Sequence, residues 1–301
     1  MNRRSFIKKS CGGMILLAGL DFSGSVPEEN TRFGLLTDIH FARRKVNGTR
    51  YFDQSITKLT EAIQVYNREH MDFLIELGDL KDQGIDPVKT ETLSFLDEIE
   101  STLKKYKGPL YHVLGNHDMD SISKKDFLQH TRNHGKARNK TYYSFIRNHL
   151  KFIVLDANYN EDGSDYDSGK FNWTKAFIPA EQKDWLQKEL SGHTYPVIIF
   201  LHQLLDSFSG INKNVCVGNA GEIVDILEQS KKVIAVFQGH HHAGHHSFRN
   251  GIHYYTMKGM IEGSLPDNNS FAIVEVDKGL NIHIRGFYNC KDQKMDYANN
   301  K

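Results

Sequence analysis

The chain has 301 residues, of which 39% are hydrophobic and 25% are charged. That length allows one large domain or two small ones, and the composition excludes a disordered or fibrous chain. The 38 Lys and Arg residues nearly balance the 37 Asp and Glu residues, so the net charge gives no reason to expect a polymeric nucleic acid or a membrane surface as partner. No partner protein is indicated either.

The first 25 residues differ in character from the rest of the chain. Four basic residues between positions 3 and 9 precede a short apolar stretch at 14–18, and small residues follow at 23–25. This order is typical of a secretion signal, and the stretch is too short to span a bilayer. Since Arg3-Arg4 resembles a twin-arginine signal, we expect export to the periplasm or beyond, with no membrane anchor after signal removal. The alternative is a solvated basic arm on a cytosolic protein.

After residue 30, short apolar runs rich in β-branched and aromatic residues alternate with helical patterns. The runs predict buried strands at 33–36, 73–77, 110–114, 152–155, 197–201 and 233–237. Helical spacing of apolar residues predicts helices at 55–69, at 90–106, at 179–191 and after Asn219. Alternation of this kind favours an α/β fold with parallel pairing in much of the sheet.

The C-terminal part of the chain has a different pattern. Runs at 251–256, 271–276 and 281–288 predict strands in an antiparallel arrangement, with a turn at 277–279. Because no linker or repeat separates this part from the rest, we predict one domain over residues 31–290, made of two packed sheets flanked by helices. Residues 291–301 are predicted to be a tail. Cys216 and Cys290 fit buried free thiols better than a disulfide.

Five of the six apolar runs are followed by side chains of the kinds that hold metals. They are Asp38 and His40, Asp79, Asn116 and His117, His202, and His240 and His242. Each alone has an ordinary explanation in a turn or a loop. Because ligands in α/β sheets collect beyond the carboxyl ends of strands, together they predict one cavity. Oxygen and imidazole ligands without thiolates suit two Mn, Fe or Zn ions bridged by Asp79, and such pairs hydrolyse phosphate esters and anhydrides.

The same residues resemble the calcineurin-like metallophosphoesterases. Five blocks carry the resemblance in the family's order: Asp38-Ile39-His40, Gly78-Asp79-Leu80-Lys81-Asp82, Gly115-Asn116-His117-Asp118, His202 and Gly239-His240-His241-His242. The resemblance implies a four-layer α/β/β/α sandwich, in which two mixed β-sheets are flanked by helices.

The resemblance also implies a role for each side chain of the site. Asp38, His40 and His242 would hold one metal ion. Asn116, His202 and His240 would hold the other, with Asp79 bridging the two. His117 would protonate the leaving oxygen, while Asp82 would fix the orientation of the His117 ring.

Looser stretches are similar to the manganese-dependent ADP-ribose/CDP-alcohol diphosphatase branch of the family. They lie at 48–51, 141–145, 155–157, 181–186 and 259–263. Gln83 replaces an arginine of the protein phosphatases, which argues against that activity. The similarity implies cleavage of a phosphodiester or pyrophosphate bond in a small phosphate ester or nucleotide diphosphate, with manganese as the favoured metal. Phe41, Arg50 and Tyr51 are candidate substrate contacts.

The sequence leaves two alternatives open. A phosphomonoesterase or a cyclic-nucleotide phosphodiesterase would use the same metal ligands. A catalytically silent metal-binding scaffold would keep the fold, although it would be free to lose the ligands and His117, which this sequence retains.

Overall fold

A computed structural model describes residues 29–297, so the predicted export signal at 1–25 lies outside the described residues. The strands are β1 (Thr31–Leu36), β2 (Phe73–Glu76), β3 (Leu110–His112), β4 (Tyr143–Arg147), β5 (Leu150–Val154), β6 (Val197–Phe200), β7 (Val233–Gln238), β8 (His245–Arg249), β9 (Ile252–Thr256), β10 (Ser270–Val276), β11 (Ile282–Tyr288) and β12 (Gln293–Met295). The helices are α1 (Ser55–Arg68), α2 (Lys89–Leu103), α3 (Lys124–His130), α4 (Ala180–Ser191) and α5 (Ala220–Ser230). Every predicted strand and helix is present.

The strands form two mixed six-stranded sheets, with the orders β12-β11-β10-β1-β2-β3 and β4-β5-β6-β7-β9-β8. In the first sheet β1, β2 and β3 are parallel, while β10, β11 and β12 continue it in antiparallel fashion. In the second sheet β5, β6, β7 and β9 are parallel, and the edge strands β4 and β8 are antiparallel. The antiparallel prediction for the C-terminal part therefore holds for β10 and β11, whereas β9 lies parallel to β7.

The two sheets pack face to face through aromatic side chains. The Phe33 ring of β1 meets the rings of Phe152, Phe200 and Phe237 in the other sheet, at centroid distances of 5.9, 5.6 and 5.8 Å. Such rings dominate the energetics of a core because each removes a large apolar area from water. Helices α1 and α2 cover the outer face of the first sheet, and α4 and α5 cover the outer face of the second. The predicted four-layer sandwich is confirmed.

The end of the domain differs from the prediction. Residues 293–295, assigned to the tail, form β12, in which Met295 pairs with Ile282 and is buried. The sheet therefore extends beyond residue 290, because burying Met295 and pairing its backbone stabilises one more strand at the edge. Cys216 and Cys290 are free and buried, as predicted. None of the five helices within residues 29–297 has the length and apolar surface that a bilayer crossing requires.

Candidate metal centre

The loops after β1, β2 and β3 meet the loops after β6 and β7 at one edge of the sandwich. Parallel strands point their carboxyl ends the same way, so residues far apart in sequence gather there. Six of the seven predicted ligands fall into two compact groups of donor atoms, which are Asp38, His40 and His242, and Asp79, His202 and His240. The seventh, Asn116, is buried in the loop after β3.

Asp38, His40 and His242 are called the first ligand group. Their donor atoms face one another: His40 Nε2 lies 3.1 Å from His242 Nε2, and Asp38 Oδ1 lies 3.1 Å from His242 Nε2. Asp38 Oδ1 is also 3.6 Å from His40 Nε2. Two imidazole nitrogens and a carboxylate oxygen that converge in this way form the donor set of a cation site.

Asn116, His202 and His240 are called the second ligand group. Asp79 stands between the groups, since its Oδ2 is 3.1 Å from His202 Nε2 and 3.6 Å from His40 Nε2. The rings of His202 and His240 lie with their centroids 5.0 Å apart. The Asp79 carboxylate therefore lies between the two groups, where a bridging ligand would have to stand.

Several donor atoms of this cluster are buried without an aligned hydrogen-bond partner among residues 29–297. They are Asp38 Oδ1, Asn116 Oδ1, His202 Nε2 and His240 Nε2. A buried polar atom left unsatisfied costs about 1–3 kcal/mol, so native proteins seldom keep one without a reason. Four such atoms at one place fit cations as their partners.

The backbone of the site is strained where the candidate ligands stand. Asp38, His40, Asp79 and His240 all have left-handed conformations, with φ of 53°, 48°, 56° and 65°. Non-glycine residues avoid this region, at a cost of about 1–3 kcal/mol each, and it occurs where the surrounding structure enforces a functional geometry. Here hydrogen bonds between neighbouring loops enforce it, such as His40 N–H to Asp79 O at 2.9 Å.

Two glycines of the sequence blocks, Gly115 and Gly239, let the ligand-bearing loops approach one another closely. A Cβ atom on Gly115 would lie 2.2 Å from Asp79 N, and one on Gly239 would lie 2.2 Å from Thr37 Oγ1. The Asp118 carboxylate then ties the loops together, accepting from Asp79 N at 3.0 Å and from Gly115 N at 2.8 Å. The glycines and Asp118 therefore hold the ligands in position without belonging to the donor set.

Hydrogen bonds on the far side of two histidine rings set their orientation. His202 Nδ1 donates to Leu77 O at 2.8 Å, and His242 Nδ1 lies 2.6 Å from Glu262 Oε1. Each ring thereby presents its Nε2 atom to the cluster, as in histidine ligands of metals. Glu262 lies in the 259–263 stretch, whose role the sequence did not reveal. Glu262 lies on the loop after β9, and β9 is the parallel neighbour of β7. Only this strand pairing, which the sequence does not show, brings Glu262 to the ligand His242.

The titratable groups of the site shift one another's pKa values strongly. Burial raises the pKa of Asp79, but the positive charges of His202 and other neighbouring histidines, together with a hydrogen bond from His202, outweigh that effect and hold the pKa below its usual range. Burial lowers the pKa of His202, whereas the carboxylates of Asp79 and Asp38 raise it to about 10. Burial and the neighbouring His202 lower the pKa of His240 to about 3, which keeps that ring neutral, the form that binds metals. The carboxylates and the protonated His202 ring thus stabilise each other's charged forms, and a cation bound in place of the His202 proton would face the same carboxylates.

His117 lies beside the first ligand group, with its ring centroid 4.9 Å from that of His40. Its Nδ1 lies 2.7 Å from Asp120 Oδ2 but 3.7 Å from Asp82 Oδ1. The prediction that Asp82 orients His117 is therefore wrong, and Asp120 takes that place. The reason is a 3-10 turn over His117–Met119, which brings the residue three positions later against the ring. Asp82 lies between the two rings, and its other oxygen is 3.6 Å from His40 Nδ1.

A buried lysine donates hydrogen bonds to the backbone of this turn. Lys81 Nζ donates to the carbonyl oxygens of His117 and Asp120, at 2.5 and 2.9 Å. Burial lowers the pKa of His117, but the charge of Asp79 and the hydrogen bond with Asp120 raise it to about 9. The imidazole beside the ligand groups is therefore held in one place in a form that can donate a proton.

The three candidate substrate contacts have different surroundings. Phe41 is only 4% exposed and its ring packs against Phe95 at 5.9 Å, so its assignment as a substrate contact is wrong. Its apolar ring gains more from the core than from the solvated cavity. Arg50 stays on the rim, with Nε 3.9 Å from Glu262 Oε1. Tyr51 is half-buried next to it, and its backbone N–H donates to Ile261 O.

Comparison with known proteins identifies relatives over most of the chain. Residues 31–244 match the sequence profile described as Calcineurin-like phosphoesterase. The "Manganese-dependent ADP-ribose/CDP-alcohol diphosphatase" of Oryza sativa subsp. japonica is 26% identical, covering 81% of this chain and 87% of that protein. The Homo sapiens protein of the same name is 24% identical, covering 88% and 92%. A "3′,5′-cyclic-nucleotide phosphodiesterase" of Nostoc is 23% identical, covering 87% and 92%.

A similar fold is found among solved structures. The crystal structure of a dimetal phosphatase from Danio rerio superposes with a TM-score of 0.75 at 20% identity, covering 89% of this chain and 99% of that one. The match extends over both sheets, since it covers nearly all of the described residues.

Proposed function

This chain belongs to the calcineurin-like phosphoesterase family, and we propose that it uses two metal ions to cleave the diphosphate bond of small nucleotide-type substrates. Membership makes it a metal-dependent hydrolase of phosphate ester or anhydride bonds. The observation that carries the proposal is the convergence of His40 and His202, one from each ligand group, on the Asp79 carboxylate, with His117 beside them. A silent scaffold would not require an imidazole held next to the ligands.

In this proposal the first ligand group would hold one metal ion, the second group would hold the other, and Asp79 would serve both. Two bound divalent cations supply neutralisation of the phosphate and activation of a water molecule at neutral pH. His117 donates a proton to the leaving oxygen, and Asp120 holds its ring through Nδ1. The His117 backbone N–H also donates to Asp79 Oδ1 at 2.8 Å, which fixes the acid relative to the bridge.

The relatives support a nucleotide diphosphate as substrate and manganese as metal. The rice and human proteins carry the name of manganese-dependent diphosphatases of ADP-ribose and CDP-alcohols, and the similarity covers most of their length. We therefore favour Mn²⁺, with Fe or Zn as the alternatives that the same donors accept. Hydrolysis of a cyclic nucleotide is the second candidate, favoured by the name of the Nostoc relative.

The test is a metal-reconstituted substrate screen. Purified protein is stripped with a chelator, resupplied with Mn²⁺, Zn²⁺ or Fe²⁺, and incubated with ADP-ribose, CDP-choline and 3′,5′-cyclic AMP. We expect AMP and CMP to appear from the first two substrates, with Mn²⁺ giving the highest rate. Full activity in the stripped protein would contradict the two-metal proposal. Exclusive turnover of cyclic AMP would favour the second candidate.

His117→Ala separates catalysis from metal binding. We expect the variant to keep both metal ions and to lose turnover by about 10²–10⁴-fold, the usual contribution of a general acid. Metal content after dialysis and kcat on ADP-ribose are the measurements. A variant with unchanged kcat would show that His117 is not the acid.

We also propose export of the protein through the segment at 1–25. Its support is the order of basic, apolar and small residues around Arg3-Arg4. Replacing both arginines by lysine should retain the protein in the cytoplasmic fraction of expressing cells. Unchanged fractionation would contradict the proposal.

A further inference from the structure

Trp173 exposes a large aromatic surface at the rim of the metal centre. It is 45% exposed, and its ring meets the ring of His240 edge-on, with centroids 5.6 Å apart. Tryptophan is usually well buried in folded proteins, because its ring removes a large apolar area from water. Here nearly half of that surface remains open beside a candidate metal ligand.

The segment that carries Trp173 is fixed on both sides. Before it, Phe171 stacks on the buried Tyr166 at 4.2 Å, and the Tyr166 hydroxyl donates to Asn172 O at 2.9 Å. After it, the Phe177 N–H donates to Ala157 O at 3.0 Å. The indole is therefore presented to solvent by an anchored backbone, and its place beside His240 is set in advance of ligand binding.

The chemistry of an exposed indole selects among the parts of a nucleotide substrate. Ribose and the diphosphate are polar and gain little from an aromatic face. A nucleobase is flat, and every base, purine or pyrimidine, has a π face that stacks on tryptophan. A base stacked beside His240 would leave the diphosphate of the same molecule next to the ligand groups, because only the ribose separates base from phosphate.

We propose that Trp173 is the stacking platform for the nucleobase of the substrate. This inference rests on the nucleotide-type substrate proposed above and adds the site that recognises the base. Because stacking does not read hydrogen-bonding groups, the platform accepts both adenine and cytosine. Trp173 thereby acts on substrate binding and contributes no proton or metal ligand.

The first experiment compares ADP-ribose with its adenine-free analogue, diribosyl diphosphate, in the metal-loaded enzyme. The measured quantity is the ratio of kcat/KM for the two substrates. In Trp173→Ala we expect this ratio to fall about tenfold, mainly through KM, as loss of one base–aromatic stack predicts. Trp173→Phe should keep most of the ratio, since phenylalanine also offers a π face. An unchanged ratio in Trp173→Ala would overturn the proposal.

Trp185→Phe provides the matched control. Trp185 lies on α4, half-buried against the Tyr142 ring at 5.0 Å, and does not belong to the site. The variant should keep the wild-type ratio. Using the ratio cancels any general loss that arises if truncating Trp173 shifts His240.

The second experiment does not depend on turnover. The chain has two tryptophans, so Trp185→Phe leaves the fluorescence of Trp173 alone. With Mg²⁺ present, AMP and CMP should quench it saturably, whereas ribose 5-phosphate should not. Equal quenching by ribose 5-phosphate would overturn the proposal. If the enzyme hydrolyses neither diphosphate, the proposed function fails, and the quenching still decides the role of Trp173.

Discussion

The two ligand groups hold their histidines in different ways. In the second group, His202 is fully buried and donates from Nδ1 to the backbone oxygen of Leu77. In the first group, the His242 side chain is 12% exposed, and its Nδ1 faces the carboxylate of Glu262. A backbone carbonyl remains when the side chain of its residue is substituted, whereas a side-chain carboxylate is lost. Substitution of an outer partner can therefore change the metal affinity of the first group but not that of the second.

The support of the first group continues through one more charged side chain. Lys58 of α1 is buried, and its Nζ donates to the carbonyl oxygens of Met260 at 2.9 Å and Gly263 at 2.6 Å. These bonds hold the loop that carries Glu262. The first ligand group thus depends on the side chains of Glu262 and Lys58. The second group depends on the backbone oxygen of Leu77, at the end of β2.

The largest effect is expected from Asp79→Asn, which removes the charge shared by both groups. The amide cannot bridge two cations as a carboxylate does, so we expect both metal ions to bind weakly and kcat/KM on ADP-ribose to fall by at least about 10³-fold. Metal content after dialysis and kinetics in excess Mn²⁺ test this. Loss of only one ion would show that the two groups bind independently, and would contradict a shared role of Asp79.

Glu262→Gln should separate the two ligand groups. The variant keeps an oxygen acceptor for the His242 ring but loses the charge, and such outer partners of metal ligands contribute about 10–100-fold to metal affinity. We expect weaker binding of one ion and unchanged binding of the other in a calorimetric Mn²⁺ titration.

Glu189→Gln is the control, because Glu189 also forms an ion pair, with Lys151, but lies outside the metal centre. It should bind both ions normally. Equal weakening of both ions in Glu262→Gln would contradict the separate support of the first group.

Lys58→Met should have the smallest effect on the metals. The apolar chain fills the same space, yet leaves the loop carbonyls without their donor, at a cost of about 1–3 kcal/mol. For a domain of this size that lowers Tm by roughly 2–10 °C. Metal affinity of the first group should fall less than in Glu262→Gln, because the carboxylate remains. Lys105→Met, on the exposed surface after α2, is the control for charge removal, and equal Tm values for the two variants would refute the role of Lys58.

Most of the strands and helices were predictable because their patterns are local. The runs that precede Asp38 and His202 have no polar side chain, and the run before Asp79 has only Glu76, as expected for strands buried on both faces. The prediction missed α3, β4, β8 and β12, whose side chains are more exposed or whose runs are short. A signal for β8 was present in Asn250-Gly251, a turn pair of β-hairpins, which joins β8 to β9.

Within the site, errors arose wherever the answer depended on packing between loops. Asp82 and Asp120 are both acidic residues near His117, and only the 3-10 turn decides which one reaches the ring. Phe41 follows the first pair of ligands directly, yet its side chain turns into the core against Phe95. Spacing along the chain does not specify either outcome.

The sequence by itself determined the donor types, their order at the ends of strands and an α/β domain of two sheets flanked by helices, whereas the four-layer arrangement came from the family resemblance. The first three features follow from hydrophobic periodicity and from residues adjacent in the chain. Only the tertiary structure decided that Asp120 bonds the His117 ring, that Glu262 and Lys58 support His242, and that Trp173 lies against His240. The physical reason is that these contacts join loops up to 205 residues apart, and their geometry follows from how the sheets and helices pack.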